Sequence, residues 1–110
     1  MSAVPAIQAD DAAADRAGFL VDVRELDEWV LGHVAHATHI PMSEIVERVS
    51  ELPRDQRIIV MCRSGNRSGH VTEWLVTQGF DAVNLTGGAQ AWINCGFALV
   101  DSQGNPGVVA

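Results

Sequence analysis

Lysine and tyrosine are absent from this sequence of 110 residues, and cysteine occurs only twice. The seven cations, all arginines, are outnumbered by 14 acidic side chains, which leaves a formal net charge of −7. We expect such a negative chain to bind neither nucleic acid nor an anionic membrane. Two cysteines are too few for a disulfide framework, so Cys62 and Cys95 are each expected to be free thiols.

Long apolar runs are missing as well. No stretch approaches the roughly 18 apolar residues that a membrane-spanning helix needs. The first fifteen residues lack the basic segment and long apolar segment of a secretory signal, so we expect a cytoplasmic protein. The length suits a single domain over residues 1–110, with a core at about 4–97. Residues 99–110 include the loop-like run Gln-Gly-Asn-Pro-Gly, which predicts a weakly ordered tail.

Short apolar runs alternate with segments of helical period, which is typical of βαβ units in a three-layer α/β domain. Strands are predicted at residues 4–7, 19–23, 38–40, 57–61 and 82–84. Amphipathic helices are predicted around residues 26–30, 42–49 and 71–75, and a first helix through Arg16 is expected to be capped by Asp10 or Asp11. The glycines expected to take left-handed conformations after helices are Gly18, Gly32, Gly79 and Gly96.

The most informative segment is the apolar strand that ends at Cys62 and opens into the polar loop Arg-Ser-Gly-Asn-Arg-Ser. In parallel sheets, ligands bind where strands end and the N–H groups of the following helix point outward. These dipoles favour a thiolate over a thiol, so we expect a lowered thiol pKa and a sulfur that solvent can reach. No Cys-His pair or triad is convincing in the sequence, and none is needed if the surroundings ionise the nucleophile.

A run of the chain without carboxylates surrounds this cysteine. Between Asp55 and Glu73 there is no acidic residue, whereas Arg57, Arg63 and Arg67 all fall there. The sequence therefore predicts a local positive island that attracts an anion to an otherwise negative protein.

Several short motifs, in their order and spacing, resemble those of the rhodanese family over residues 4–97. They are Asp22-Val23-Arg24, Glu28-Trp29, Gly32-His33, Ile40-Pro41, Cys62 to Ser68, Gly79-Phe80, and Leu85-Thr86-Gly87-Gly88 followed by Trp92. The resemblance implies a five-stranded parallel sheet of order 3-2-4-5-1 with helices on both faces. It also implies a thiosulfate sulfurtransferase that needs neither a metal nor an organic cofactor.

The same resemblance implies roles for individual residues. Cys62 would take sulfur from thiosulfate or a similar small anionic donor as a persulfide, then pass it to cyanide, a thiol or an acceptor protein. Its substrate-binding loop would comprise Arg63, Ser64, Gly65, Asn66, Arg67 and Ser68, whose N–H groups cradle the persulfide. Arg63 is favoured for attracting the donor, and Arg67 either shares this role or anchors the loop.

Two alternative functions stay open. An intact cysteine loop could serve as a sulfur carrier or regulatory module without turnover, since fold does not determine function. Phosphatases and arsenate reductases that resemble rhodaneses form the other class, but they have five residues between cysteine and arginine. Here four residues separate Cys62 from Arg67, and the smaller backbone loop that they form suits a single sulfur better than a phosphate.

Structural roles are expected for the other residues that could carry chemistry. Cys95 is expected to pack beside Trp92 on one helix face, with a resolving thiol as the alternative. The run of His33, His36 and His39 does not match zinc-ligand spacing, so no metal site is expected. A hydrogen-bond network is favoured over acid-base catalysis for Asp22, Arg24 and Glu28. His70 is expected to be an exposed helix residue.

Overall fold

The computed structural model describes residues 4–110. Five strands are present: β1 (Ala6–Ile7), β2 (Phe19–Asp22), β3 (Thr38–His39), β4 (Ile58–Met61) and β5 (Ala82–Leu85). Four α-helices accompany them: α1 (Ala9–Ala14), α2 (Leu26–Leu31), α3 (Asn66–Thr77) and α4 (Gly88–Asn94). Within the described part of the chain, no helix is both long enough and apolar enough to cross a membrane.

The strands form one parallel sheet in the order β1-β5-β4-β2-β3. Read from the opposite edge this is 3-2-4-5-1, so the fold prediction is confirmed. The central strand β4 pairs with β2 on one side and β5 on the other, and all four of its residues are buried. Its continuous apolar run is what a parallel strand covered on both faces requires.

Alternate side chains of β4 point into two separate cores. Ile58 and Val60 pack in one cluster with Leu75 of α3, whereas Ile59 and Met61 pack in the other with Trp92 of α4. The helices therefore lie on both faces of the sheet. This arrangement gives the central strand a fixed position, and Cys62 follows it directly.

Two predicted helices differ from those in the structure. Residues 42–51 form two 3₁₀ turns, Met42–Glu44 and Val49–Glu51, and not an α-helix. This short segment between Pro41 and Pro53 is rich in β-branched residues, which have low helix propensity. The residue that precedes α1 is Gln8, so neither aspartate caps this helix. Asp10 and Asp11 lie instead in the first turn of α1, near the positive end of the helix dipole.

The segment 99–110 also differs from its prediction, because it packs against the domain. Val100 exchanges two backbone hydrogen bonds of 2.8 Å with His33, and the Val108 N–H donates to the Leu31 carbonyl at 3.0 Å. Leu99 is only 2% exposed and belongs to the second core. The loop-like residues 103–107 form a turn between two packed stretches.

Of the four glycines expected to be left-handed, Gly79 and Gly96 have positive φ angles of 89° and 88°. Gly32 has an extended φ of 176°, so its conformation does not require glycine. A Cβ at Gly32 would instead overlap the backbone of Val108. Gly32 is therefore a site of close approach for the segment 99–110, and the prediction for Gly18 and Gly32 is wrong.

Candidate active site

The sulfur of Cys62 lies between the end of β4 and the beginning of α3. The chain turns through residues 63–65, and Gly65, at a φ of 109°, is the residue that precedes the helix. The Gly65 N–H donates to the Cys62 Sγ at 3.1 Å, and the Ser68 Oγ lies 3.3 Å from the same sulfur. The loop and the first turn of α3 thus both supply donors to one sulfur.

These donors change the ionisation of the thiol. Burial of the sulfur by itself would raise the pKa of Cys62. The Ser68 hydroxyl and the backbone N–H groups of Ser68, Gly65 and Ser64 lower it by a larger total amount, so the thiol pKa lies below its ordinary value. The geometry therefore favours the thiolate.

Access to the sulfur differs from the expectation. Cys62 is only 1% exposed, so it is not the solvent-reachable residue that the sequence predicts. Arg63, Ser64 and Asn66 of the loop are exposed, while Ser68 is buried beneath them.

The predicted positive island does not form as a unit. Arg57 lies at the other end of β4, where its side chain is 3.7 Å from Asp81 and 4.0 Å from Asp15. Arg67 forms an ion pair of 3.0 Å with Glu28, and this hydrogen bond raises the pKa of Arg67. The arrangement matches the anchoring alternative for Arg67.

Arg63 is placed differently from the other two arginines. Its Nε donates to the main-chain oxygen of Ala110 at 2.6 Å. Within residues 4–110, no carboxylate side chain forms an ion pair with Arg63. Arg63 is thus the loop arginine without a carboxylate side chain as partner among the described residues, and its Nε contacts the segment 99–110.

Two features that sequence reasoning missed support the loop. The first is the N-terminus of α4, which binds the backbone of the Cys62 loop. The Ala89 N–H donates to the Cys62 carbonyl at 2.8 Å, and the Gln90 N–H donates to the Arg63 carbonyl at 3.1 Å. A Cβ at Gly88 would overlap the backbone at Cys62 and Arg63, so glycine permits this approach. The Gly87-Gly88 pair was the available signal.

The second missed feature is Asn84 on β5. Its Oδ1 lies 2.6 Å from the Ser68 Oγ, and its Nδ2 donates to the Gly65 carbonyl at 3.1 Å. Asn84 therefore contacts both residues that donate to the sulfur. A polar residue between the buried Val83 and Leu85 was the only sign of this in the sequence.

Asp22 and Arg24 form a fully buried ion pair of 2.8 Å, and Arg24 also donates to the Gly32 carbonyl at 2.7 Å. Glu28 is occupied by Arg67. These pairings agree with the favoured prediction of a structural network, although the buried Arg24 Nη1 has no hydrogen-bond partner among the described residues.

The rings of His33 and His39 both stack on Trp29, at centroid distances of 3.7 and 4.8 Å. Their nitrogens contact the carbonyls of Trp29 and Arg24. In the described residues, no group of three or more histidine, cysteine or acidic side chains could hold a metal ion. Cys95 is exposed at the end of α4, so the packing role predicted for it is wrong. His70 is exposed, as predicted.

Comparison with known proteins identifies the family. The model of the rhodanese-like domain matches residues 6–95. This chain belongs to the rhodanese-like domain family. The protein named "Putative sulfurtransferase YtwF" from Bacillus subtilis (strain 168) is 43% identical over 79 residues, which cover 72% of this chain and 77% of the relative.

Two further relatives extend the comparison. A sulfurtransferase from Allochromatium vinosum is 40% identical over 86 residues, which cover 77% of this chain and 80% of the relative. The crystal structure of a rhodanese-related protein from Thermoplasma volcanium has a TM-score of 0.83 and 37% identity, covering 87% of this chain and 97% of that one. The family match over residues 6–95 spans the five strands of the sheet and the Cys62 loop of this rhodanese domain.

Proposed function

We propose that this rhodanese-like domain is a sulfurtransferase that carries sulfur as a persulfide on Cys62. The Cys62 thiolate attacks the outer sulfur of thiosulfate; a new S–S bond forms, the donor S–S bond breaks, and sulfite leaves with its electron pair. Cyanide then attacks the outer persulfide sulfur, which gives thiocyanate and restores the thiolate. A thiol or an acceptor protein could replace cyanide in the second step.

The observation that supports this proposal best is the set of donors on a single sulfur. The Gly65 N–H and the Ser68 hydroxyl contact Cys62 Sγ, and the thiol pKa is lowered despite burial. A nucleophile ionised in this way needs no general base. A cytoplasmic setting, where thiols remain reduced, would suit such a cysteine.

The substrate-binding role of the loop is part of the proposal. Backbone N–H groups between Arg63 and Ser68 would hold the persulfide anion, and Arg63 would attract the anionic donor. An anionic donor that binds the Arg63 Nε would displace the Ala110 oxygen from it. The four residues between Cys62 and Arg67 form a small backbone loop, whose size would suit a single sulfur.

Incubation with thiosulfate followed by intact-mass measurement tests the first step. The Cys95→Ser variant should gain the mass of one sulfur, and the Cys62→Ser variant should gain nothing. Thiocyanate formation on addition of cyanide would then show an enzyme, whereas a stable persulfide would indicate a carrier. Hydrolysis of an aryl phosphate without sulfur uptake would replace the proposal with the phosphatase alternative.

A further inference from the structure

Asn84, Ser68 and Cys62 form a chain of contacts in which one proton has two acceptors. The Ser68 Oγ lies 3.3 Å from Cys62 Sγ and 2.6 Å from Asn84 Oδ1. A serine hydroxyl carries a single proton, so it can donate to only one of these acceptors at a time. Ser68 is fully buried, so bulk solvent does not reach the hydroxyl.

The orientation of the Asn84 amide is determined by its other contact. Its Nδ2 donates to the Gly65 carbonyl, which can only accept. The reversed amide would place two acceptors against each other there. Asn84 Oδ1 therefore faces Ser68 as an acceptor, in competition with the sulfur.

We propose that Asn84 is a positioning residue that accepts the hydrogen bond of the Ser68 hydroxyl while the sulfur is uncharged and gives up this hydrogen bond when the hydroxyl turns to the thiolate. In the thiol, the S–H donates to Ser68 Oγ, and the hydroxyl donates to Asn84. In the thiolate, the hydroxyl turns to the sulfur. Once Cys62 becomes the inner sulfur of a persulfide, it loses its charge and the hydroxyl returns to Asn84.

Asn84 consequently opposes formation of the thiolate, while Ser68 supports it. The charged groups near the sulfur are Arg63 of the loop, Arg67 of α3 with its partner Glu28 of α2, and Asp22 of β2 with its partner Arg24. These groups stay in place when only Asn84 is changed. Differences among Asn84 variants therefore report on the shared proton.

The test uses two variants of similar size in a Cys95→Ser background. Asn84→Leu removes the competing acceptor, so the thiol pKa should fall, and alkylation below that pKa should become about two- to threefold faster. Asn84→Asp supplies a stronger acceptor and a negative charge, so the pKa should rise and alkylation should slow. A merely structural role would move both variants in the same direction by loosening Gly65.

Thiolate absorbance titrated against pH, with Cys62→Ser as the blank, measures the pKa directly. Asn94→Asp, at the exposed end of α4, adds the same charge outside the site and should leave the pKa unchanged. In a Ser68→Ala background, Asn84→Leu should have no effect, because the shared proton is gone. An unchanged or raised pKa in Asn84→Leu would overturn the proposal, as would a persistent effect without Ser68.

This inference rests on the proposed role of Cys62 as the nucleophile. The titration needs no sulfur donor, so the two ideas can fail separately. Opposite shifts in the two Asn84 variants without sulfur uptake would contradict only the proposed function. Sulfur uptake with a pKa indifferent to Asn84 would contradict only the role of Asn84.

Discussion

Gly65 combines two tasks in one residue, and they can be separated by substitution. Its φ of 109° is unfavourable for any side chain, and its N–H donates to the sulfur. Gly65→Ala should lower the free energy of unfolding by about 1–2 kcal/mol. Sulfur uptake from thiosulfate should also fall sharply, because the N–H of residue 65 is displaced from the Cys62 sulfur. Urea unfolding and intact-mass measurement would follow the two effects.

Gly104→Ala is the matched control for this variant. Gly104 has a φ of 82° and open space around it, away from the loop. We expect a similar loss of stability with normal sulfur uptake. Equal losses of uptake in the two alanine variants would show that strain alone, and not the donor at the sulfur, explains the result.

At the scale of the element, the segment 99–110 depends on a glycine that it approaches. A Cβ at Gly32 would overlap the backbone of Val108. Gly32→Ala should therefore displace residues 107–109 and lower the free energy of unfolding by about 1–3 kcal/mol. Hydrogen exchange should become faster at the Val108 amide, which donates to Leu31, and remain slow at Val60 in the central strand. Unchanged exchange at Val108 would contradict this packing.

The sequence predicted those elements whose signals are local. The apolar run before Cys62 and the polar loop after it place the sulfur at a strand end without any tertiary information. Asn84 was missed because its contact with Gly65 joins residues 19 positions apart and depends on how β5 aligns with β4. The segment 99–110 was misjudged because its turn residues conceal the flanking Leu99, which is buried.

At the scale of the whole molecule, the positions of the charged side chains likewise depend on tertiary contacts that the sequence does not show. Arg57, Arg63 and Arg67 are close in sequence, but the length of β4 separates the first from the loop, and Glu28 pairs with the last. Only tertiary structure shows that Arg63 is the loop arginine without a carboxylate partner among the described residues. In a protein with a net charge of −7, attraction of an anion then depends on a local charge.

Arg63→Gln should raise the KM for thiosulfate several-fold with little change in kcat, because it removes attraction for the donor and leaves the sulfur intact. Arg57→Gln makes the same change in net charge at the opposite end of the sheet and should leave KM unchanged. Steady-state thiocyanate formation measures both. Equal increases in KM would indicate an effect of net charge in place of a binding role for Arg63.

The most direct test of the account is the pH dependence of Cys62 alkylation in the Cys95→Ser variant. A lowered thiol pKa predicts a rate that reaches its plateau at a lower pH than the rate of free cysteine does, whatever the absolute rates are. Ser68→Ala should shift the plateau to higher pH. A rate that reaches its plateau at the same pH as for free cysteine, or at a higher pH, would contradict the central claim that the donors of this loop ionise Cys62.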